Sequence, residues 1–367
     1  MNKQITYIFI ILLIASKLFA QDTLVKKHSK FPQIIEINTG YGFIAKHRPV
    51  VDYFITGHVP TLNITIGKIM GGNKQWHQKY ANPEIGVGFY YANFNNHYLG
   101  ESYALYGYTK IPFTKRERIV FGYFDLGLGL AYLTKHFDIE ENYFNTIIGS
   151  HFNAYLRLGI LSNIKINNKF DIITGVSLNH SSNSKTKTPN LGINVISFNL
   201  GAKYKLYNTK YNNNKSTTAC DCYNSYYITL SAGPKAISKV EGSFFASSLV
   251  FDFVKNITFK SGFGAGADLY YDKTLKFYYN RDSLDYKPGI NDIQAGLHAT
   301  YIFKFNKVWF NFNVGYYIFD ELNLEGKIYS RVSMRAFIYK NIYASVGMKT
   351  HFAKADLLEL GIGYSIY

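Results

Sequence analysis

Apolar and polar residues alternate with a period of two along most of the chain, from about residue 31 to the end. In Val120–Tyr132 (VFGYFDLGLGLAY), the even-numbered positions are almost all large and apolar, whereas the odd-numbered positions are small, polar or aromatic. The segment from Leu358 to Ile366 repeats the pattern. A period of two places alternate side chains on opposite faces of a β-strand, so the chain is predicted to be all-β, with about sixteen strands.

Strand length and spacing favour a transmembrane barrel over a soluble sandwich. Many strands run for about 10 to 15 residues, which is long enough to cross a bilayer when tilted. The predicted connections after odd-numbered strands are mostly long, and those after even-numbered strands are mostly short, as in outer-membrane barrels. The apolar face of each strand would then point outward to lipid, and the small and polar face would point into the barrel.

The N-terminus has the layout of a secretory signal peptide. Lys3 precedes the apolar run Ile5–Ala15, and Leu18-Phe19-Ala20 ends in a small residue. We therefore expect residues 1–20 to be removed after export. The mature part has no further apolar run of about 18 residues, so an exported chain of this kind can span a membrane only as a closed barrel.

Composition adds limits on partners and cofactors. The net charge of +16 suits an anionic partner. For an exported chain, a phosphorylated membrane surface is a better candidate than nucleic acid, although Lys and Arg that simply decorate turns explain the charge equally well. Cys220 and Cys222 are one residue apart and provide no disulfide framework. No metal-ligand spacing or phosphate-binding motif is present, so we expect no cofactor and no metal.

A polar segment at the midpoint of the chain suggests a division into two halves. Residues 208–222 read NTKYNNNKSTTACDC. The predicted organisation is a signal peptide (1–20), a first barrel half with the candidate site (21–207), a linker (208–222) and a second strand-rich half (223–367). Since tandem barrels in one chain are uncommon, we expect one barrel of about 14–16 strands. The alternative is an eight-stranded barrel followed by a separate strand-rich half.

Two neighbouring strands break the apolar pattern at the same end. In FDIITGVSLNHSSN and LGINVISFNLGAKY, the apolar face of each strand leads to His180, Ser182 and Asn194. Polar groups on a lipid-facing surface are costly and therefore suggest function. His180 and Ser182 share a face and form a candidate base and nucleophile, while Asn194 is a candidate for orienting the imidazole. The backbone N–H or amide of Asn183 is a candidate oxyanion donor.

The simpler interpretation of these residues is an interfacial histidine beside turn-forming Ser, Asn and Pro residues. A resemblance to a known family favours the catalytic interpretation. The segment HSSNSKTKTPNLGIN resembles the His-x-Ser-Asn … Pro-Asn-x-Gly signature of the PagL-type lipid A 3-O-deacylases, or acyloxyacyl hydrolases. These are outer-membrane β-barrel esterases that remove an acyl chain from lipid A.

The resemblance implies roles for individual residues. It makes His180 the general base, Ser182 the nucleophile and Asn183 part of the oxyanion hole. Pro189, Asn190 and Gly192 complete the motif at the same spacing. It also implies a serine esterase that acts without a cofactor on lipid A in the outer leaflet of the outer membrane.

The chain departs from the family pattern in three ways. Asn194 stands where the family has an orienting Glu, and Lys185 stands where it can have a Gly. The family enzymes resemble a single eight-stranded barrel, so the part of the chain beyond about residue 207 has no expected counterpart. The Asn194 departure and the additional half support an alternative function, which is a non-catalytic outer-membrane barrel, a pore or a structural protein that retains the motif.

Overall fold

The computed structural model describes residues 32–183, 186–207, 222–238, 242–352 and 354–367. The expected signal peptide (1–20), Lys185, Cys220 and all of the expected linker except Cys222 lie outside these described residues.

Within the described ranges the chain forms sixteen strands, two short α-helices and a 3-10 helix, Pro49–Phe54. The helices are α1 (Gln75–Lys79) and α2 (Thr274–Arg281), and no helix in this part of the chain is long and apolar enough to span a membrane. The strands are β1 (Ile34–Ile44), β2 (Val59–Ile69), β3 (Glu84–Asn93), β4 (Glu101–Pro112), β5 (Val120–Leu133), β6 (Phe152–Lys165), β7 (Phe170–Ser182), β8 (Ile193–Lys205), β9 (Asn224–Ser238), β10 (Gly242–Asn256), β11 (Ser261–Asp272), β12 (Ile293–Phe305), β13 (Val308–Phe319), β14 (Ile328–Tyr339), β15 (Ile342–His351) and β16 (Lys354–Ile366).

The strands close into two barrels of eight antiparallel strands each. β1–β8 form the first barrel and β9–β16 the second, and within each barrel consecutive strands pair and the last strand pairs with the first. The expectation of an all-β barrel protein is confirmed, but the preferred single wide barrel is wrong. β8 pairs with β1 from Lys205–Ile34 to Val195–Ile44, so β8 has no free edge left for β9. The alternative arrangement is therefore the observed one, and the second half also closes on itself.

The connections follow the expected alternation only in part. Residues 45–58, 134–151 and 273–292 make long connections after odd-numbered strands, whereas 306–307 and 340–341 are tight turns after even-numbered strands. The connection from β2 to β3 is an exception, because it is long and contains α1. The connection from β15 to β16 is another exception, because it is short although it follows an odd-numbered strand.

The two faces of the strands separate as the sequence pattern predicts. On β5, Phe124 and Leu128 are exposed on the outside, whereas Tyr123 and Asp125 are buried inside the barrel. Polar groups that point inward need partners, because an unpaired charge in a closed interior costs several kcal/mol. In the first barrel Arg157 donates to Asp125 over 2.8 Å.

Four more charged residues fill the interior of the first barrel. Lys110 lies 2.6 Å from Glu36, and Lys203 lies 3.0 Å from Glu84 and 3.1 Å from Glu36. All four side chains are almost fully buried. Each cation therefore contacts both carboxylates, since Lys110 is also 3.7 Å from Glu84.

The second barrel has its own charged network. His298 lies between two carboxylates, 2.9 Å from Asp252 and 2.7 Å from Asp268. Arg331 pairs with Asp268 and Arg335 pairs with Asp252. Side chains thus fill both interiors, as expected for barrels of only eight strands.

Candidate active site

The hairpin of β7 and β8 brings the candidate residues together. His180 and Asn194 are directly opposite each other in the register of these two strands. Both lie on the outer face of the first barrel, which they share with the exposed side chains of Val176 and Phe198. Ser182 follows His180 by two residues on β7, so the period of the strand brings their side chains to the same face.

His180 links the other two side chains through its two ring nitrogens. Its Nδ1 lies 2.7 Å from Asn194 Oδ1, and its Nε2 lies 3.0 Å from Ser182 Oγ. A neutral imidazole has one N–H and one acceptor nitrogen. When Nδ1–H donates to the Asn194 oxygen, Nε2 accepts from the Ser182 hydroxyl. This geometry allows His180 to take the hydroxyl proton of Ser182. The Ser182 side chain is buried, since Ser182 is only 8% exposed.

Both kinds of donor on Asn183 are engaged. Its backbone N–H donates to Asn190 Oδ1 over 3.0 Å, and its side-chain Nδ2 donates to Ser150 Oγ over 2.9 Å. Asn190 Nδ2 has no hydrogen-bond acceptor among the described residues. Asn190 therefore offers an amide N–H₂ group close to the residue that follows Ser182.

Gly192 sits against the two reactive side chains. Its φ of +78° lies in the left-handed region that favours glycine. A Cβ at this position would lie 2.8 Å from His180 Cε1 and 3.2 Å from Ser182 Cβ. The neighbouring residue, Leu191, donates its N–H to the carbonyl of Ile147 over 2.9 Å. The hairpin connection is thus anchored to the β5–β6 connection, and glycine leaves room for the site.

Two residues that sequence reasoning did not identify complete the arrangement. Ser150 holds the Asn183 side chain, and His47 Nδ1 lies 3.2 Å from Asn194 Nδ2. Both residues lie in connections far from the motif, and no spacing in the sequence links them to it. His47 comes close because β1 pairs with β8, where Ala45 donates its N–H to the Asn194 carbonyl over 2.8 Å.

Two family models match the chain. Residues 65–203 match the model of lipid A 3-O-deacylase (PagL), and residues 224–367 match that of the acyloxyacyl hydrolase C-terminal domain (PagL_C). The chain belongs to the PagL family. The PagL match includes the β7–β8 hairpin. The PagL_C match spans the second barrel, so the expectation that the second half lacks a counterpart is wrong.

Membership of the PagL family supports a hydrolase that acts on an ester of lipid A. The family and the barrel fold are also consistent with a location in the outer membrane.

Solved structures are only distantly similar to this PagL-family chain. The crystal structure of Neisserial surface protein A (NspA) is 13% identical, with a TM-score of 0.33, and the match covers 49% of this chain and 100% of that one. A triple mutant of the Rhodopseudomonas blastica porin is 8% identical, with a TM-score of 0.17, over 91% of this chain and 99% of that one. No curated protein sequence matches the chain. Similarities of this size carry no argument about function.

Proposed function

We propose that this PagL-family protein is an outer-membrane esterase that hydrolyses an acyl ester of lipid A, with Ser182 as the nucleophile. The observation that carries the proposal is the position of His180, 3.0 Å from the Ser182 hydroxyl and 2.7 Å from the Asn194 amide oxygen. A nucleophile, a base and a group that orients the base are the parts a serine hydrolase needs.

The reaction follows from this geometry. Ser182 Oγ attacks the ester carbonyl while His180 Nε2 takes the hydroxyl proton, and the carbonyl oxygen becomes an oxyanion. Collapse of this intermediate breaks the ester bond, and His180 gives the proton to the leaving alkoxide. Water, activated by the same imidazole, then releases the fatty acid from Ser182 and restores the hydroxyl.

The position of the site suits a substrate that lies in the membrane. Val176, Phe198 and Leu200 expose apolar side chains on the same outer face as His180. We place the site where this apolar surface meets the outer-leaflet headgroups. A lipid A molecule beside the barrel would then bring an ester to Ser182 without leaving the membrane.

Asn194 makes the proposed site electrostatically different from one with a Glu. The amide oxygen accepts the Nδ1–H of His180, so it holds the ring in the reactive tautomer. A neutral amide supplies no negative charge to stabilise the imidazolium that forms during attack. We therefore expect a slower chemical step than a carboxylate at position 194 would give.

We propose that the corner formed by Asn183 and Asn190 binds the oxyanion. The backbone N–H of Asn183 is available only if Asn190 Oδ1 releases it, whereas Asn190 Nδ2 needs no such change. Asn190→Ala is expected to lower kcat by about 10²-fold, the effect of removing one oxyanion donor. The measurement is the rate of fatty-acid release from lipid A by the purified protein.

Asn190→Asp is the matched control for the role of Asn190. Asp keeps an oxygen that can accept the Asn183 N–H, but it removes the N–H₂ donor. Oxyanion binding therefore predicts that Asp is at least as harmful as Ala. Near-normal rates for Asn190→Asp would show instead that Asn190 only anchors the connection.

Gly192→Ala should impair the reaction without unfolding the barrel. The new Cβ would press on His180 and Ser182, and small displacements of reacting groups can cost about 10²-fold in rate. Gly242→Ala is the control, because Gly242 has a similar φ of +77° but a Cβ added there would meet nothing within 4 Å. A Gly192→Ala rate equal to that of Gly242→Ala would show that a Cβ at position 192 does not disturb His180 and Ser182.

The competing function is a barrel without catalytic activity. A pore is disfavoured because paired charges fill both barrel interiors. A structural barrel that retains the motif differs from an esterase in what it does to lipid A. The test is mass spectrometry of lipid A from cells with and without the protein. Esterase activity predicts that lipid A loses the mass of one acyl chain. Unchanged lipid A in cells whose membranes contain the folded protein would favour the structural barrel.

A further inference from the structure

An asparagine that orients a catalytic histidine must itself be oriented. The two ends of the Asn194 carboxamide differ, because Oδ1 accepts a hydrogen bond and Nδ2 donates one. Only the oxygen end can accept the Nδ1–H of His180. The reversed amide would donate to Nδ1 and force the proton onto Nε2, which could then no longer accept from Ser182. A carboxylate has no such requirement, since both of its oxygens accept.

His47 makes contacts that select the productive orientation. Its Nε2 lies 3.0 Å from the carbonyl oxygen of Leu191, and its Nδ1 lies 3.2 Å from Asn194 Nδ2. When Nε2–H donates to Leu191, Nδ1 is left as the acceptor for the Asn194 N–H₂ group. Nδ1 also lies 3.3 Å from the carbonyl oxygen of Ala45, a contact that would favour the other tautomer, with the proton on Nδ1. The contact from Nε2 to Leu191 is shorter and therefore favours the proton on Nε2.

We propose that His47 is a positioning residue for the Ser182 site, an inference that rests on the proposed esterase function. The Leu191 carbonyl sets the tautomer of His47, and His47 sets the orientation of the Asn194 amide. Asn194 in turn sets the tautomer of His180, which leaves Nε2 facing Ser182. Each hydrogen bond in this series determines which group donates in the next.

The fold places His47 in the series through two separate elements. The pairing of β1 with β8 continues to the bond between the Ala45 N–H and the Asn194 carbonyl, so His47 lies just beyond the last paired residues. Leu191 immediately precedes Gly192, the residue that fits against His180. The same turn therefore makes room for His180 and supplies the carbonyl that His47 contacts.

A double-mutant comparison tests this role. His47→Ala should lower kcat for fatty-acid release from lipid A by about fivefold, the effect of one hydrogen bond, with KM unchanged. Asn194→Asp is isosteric and needs no orientation. In the Asn194→Asp background, His47→Ala should therefore change kcat by less than about twofold.

A merely structural role of His47 predicts a different result. If His47 only supports the 45–58 connection, His47→Ala costs the same factor in both backgrounds, and the inference is overturned. His47→Gln provides a second test that does not depend on the Asp variant. Its amide can donate to Leu191 and accept from Asn194, so it should retain most of the rate, whereas a loss equal to that of His47→Ala would contradict the proposal.

The two proposals fail in distinguishable ways. A folded wild-type protein that releases no fatty acid would refute the esterase function itself. An active wild-type protein whose His47 variants show no dependence on residue 194 would refute the positioning role and leave the esterase function intact.

Discussion

Replacing Ser182 with alanine is expected to slow removal of the lipid A acyl chain by a factor on the order of 10³ or more. The Ala side chain has no oxygen to attack the ester, whereas the barrel and its exposed apolar outer face should be unchanged. His180→Ala should cause a loss of similar size, because Ser182 would have no base. The rate is measured as fatty-acid release by purified protein, and the lipid A product is identified by mass spectrometry.

Two further variants test whether the loss of activity is specific to the pair of Ser182 and His180. Residues that act as a unit are not additive, so Ser182→Ala with His180→Ala should be little worse than either change alone. Ser181→Ala is the matched control, since Ser181 is buried and on the opposite face of β7. Loss of activity in Ser181→Ala, with Ser182→Ala still active, would show that Ser181 rather than Ser182 is the nucleophile.

Arg157→Leu is expected to destabilise the first barrel by about 3–5 kcal/mol, because it leaves a buried carboxylate without its cation. Arg157 is fully buried and donates to Asp125 over 2.8 Å and to Asn179 over 2.9 Å. Leucine fills part of the space but satisfies neither acceptor. The free energy of unfolding is measured by denaturant titration of the protein in detergent micelles.

Two comparisons show whether the buried pair is the cause. Replacing Asp125 together with Arg157 removes both charges and should recover part of the lost stability. Lys46→Met removes one partner of an exposed ion pair, Lys46–Asp52, and should leave stability nearly unchanged. An Arg157→Leu protein as stable as Lys46→Met would mean that the interior admits enough water to solvate Asp125.

The candidate site was visible in the sequence because its three central residues need only local geometry. His180 and Ser182 share a strand face by the period of two, and Asn194 lies on the next strand of the same hairpin. Hairpin register is short-range, so pattern and spacing were enough to bring the three together. By contrast, the hydrogen bonds that Asn183 donates go to Ser150 and Asn190. The positions of these two residues depend on how the β5–β6 and β7–β8 connections pack together.

The number of barrels was not visible for a related reason. A strand such as β8 carries the same alternation whether its free edge meets β1 or β9. Closure is decided by pairing between strands that are distant in sequence, such as Ile34 with Lys205. The long β2–β3 connection and the short β15–β16 connection also show that connection length is an incomplete guide to topology.

The sequence by itself therefore determined the strand class, the outward and inward faces, and the grouping of His180, Ser182 and Asn194. Each of these depends on side chains that alternate along one strand or across one hairpin. The tertiary structure alone decided that two barrels close separately, and that His47 reaches Asn194. Both outcomes require the first and last strands of a barrel to pair. The alternation of side chains along a strand contains no information about which distant strand it pairs with.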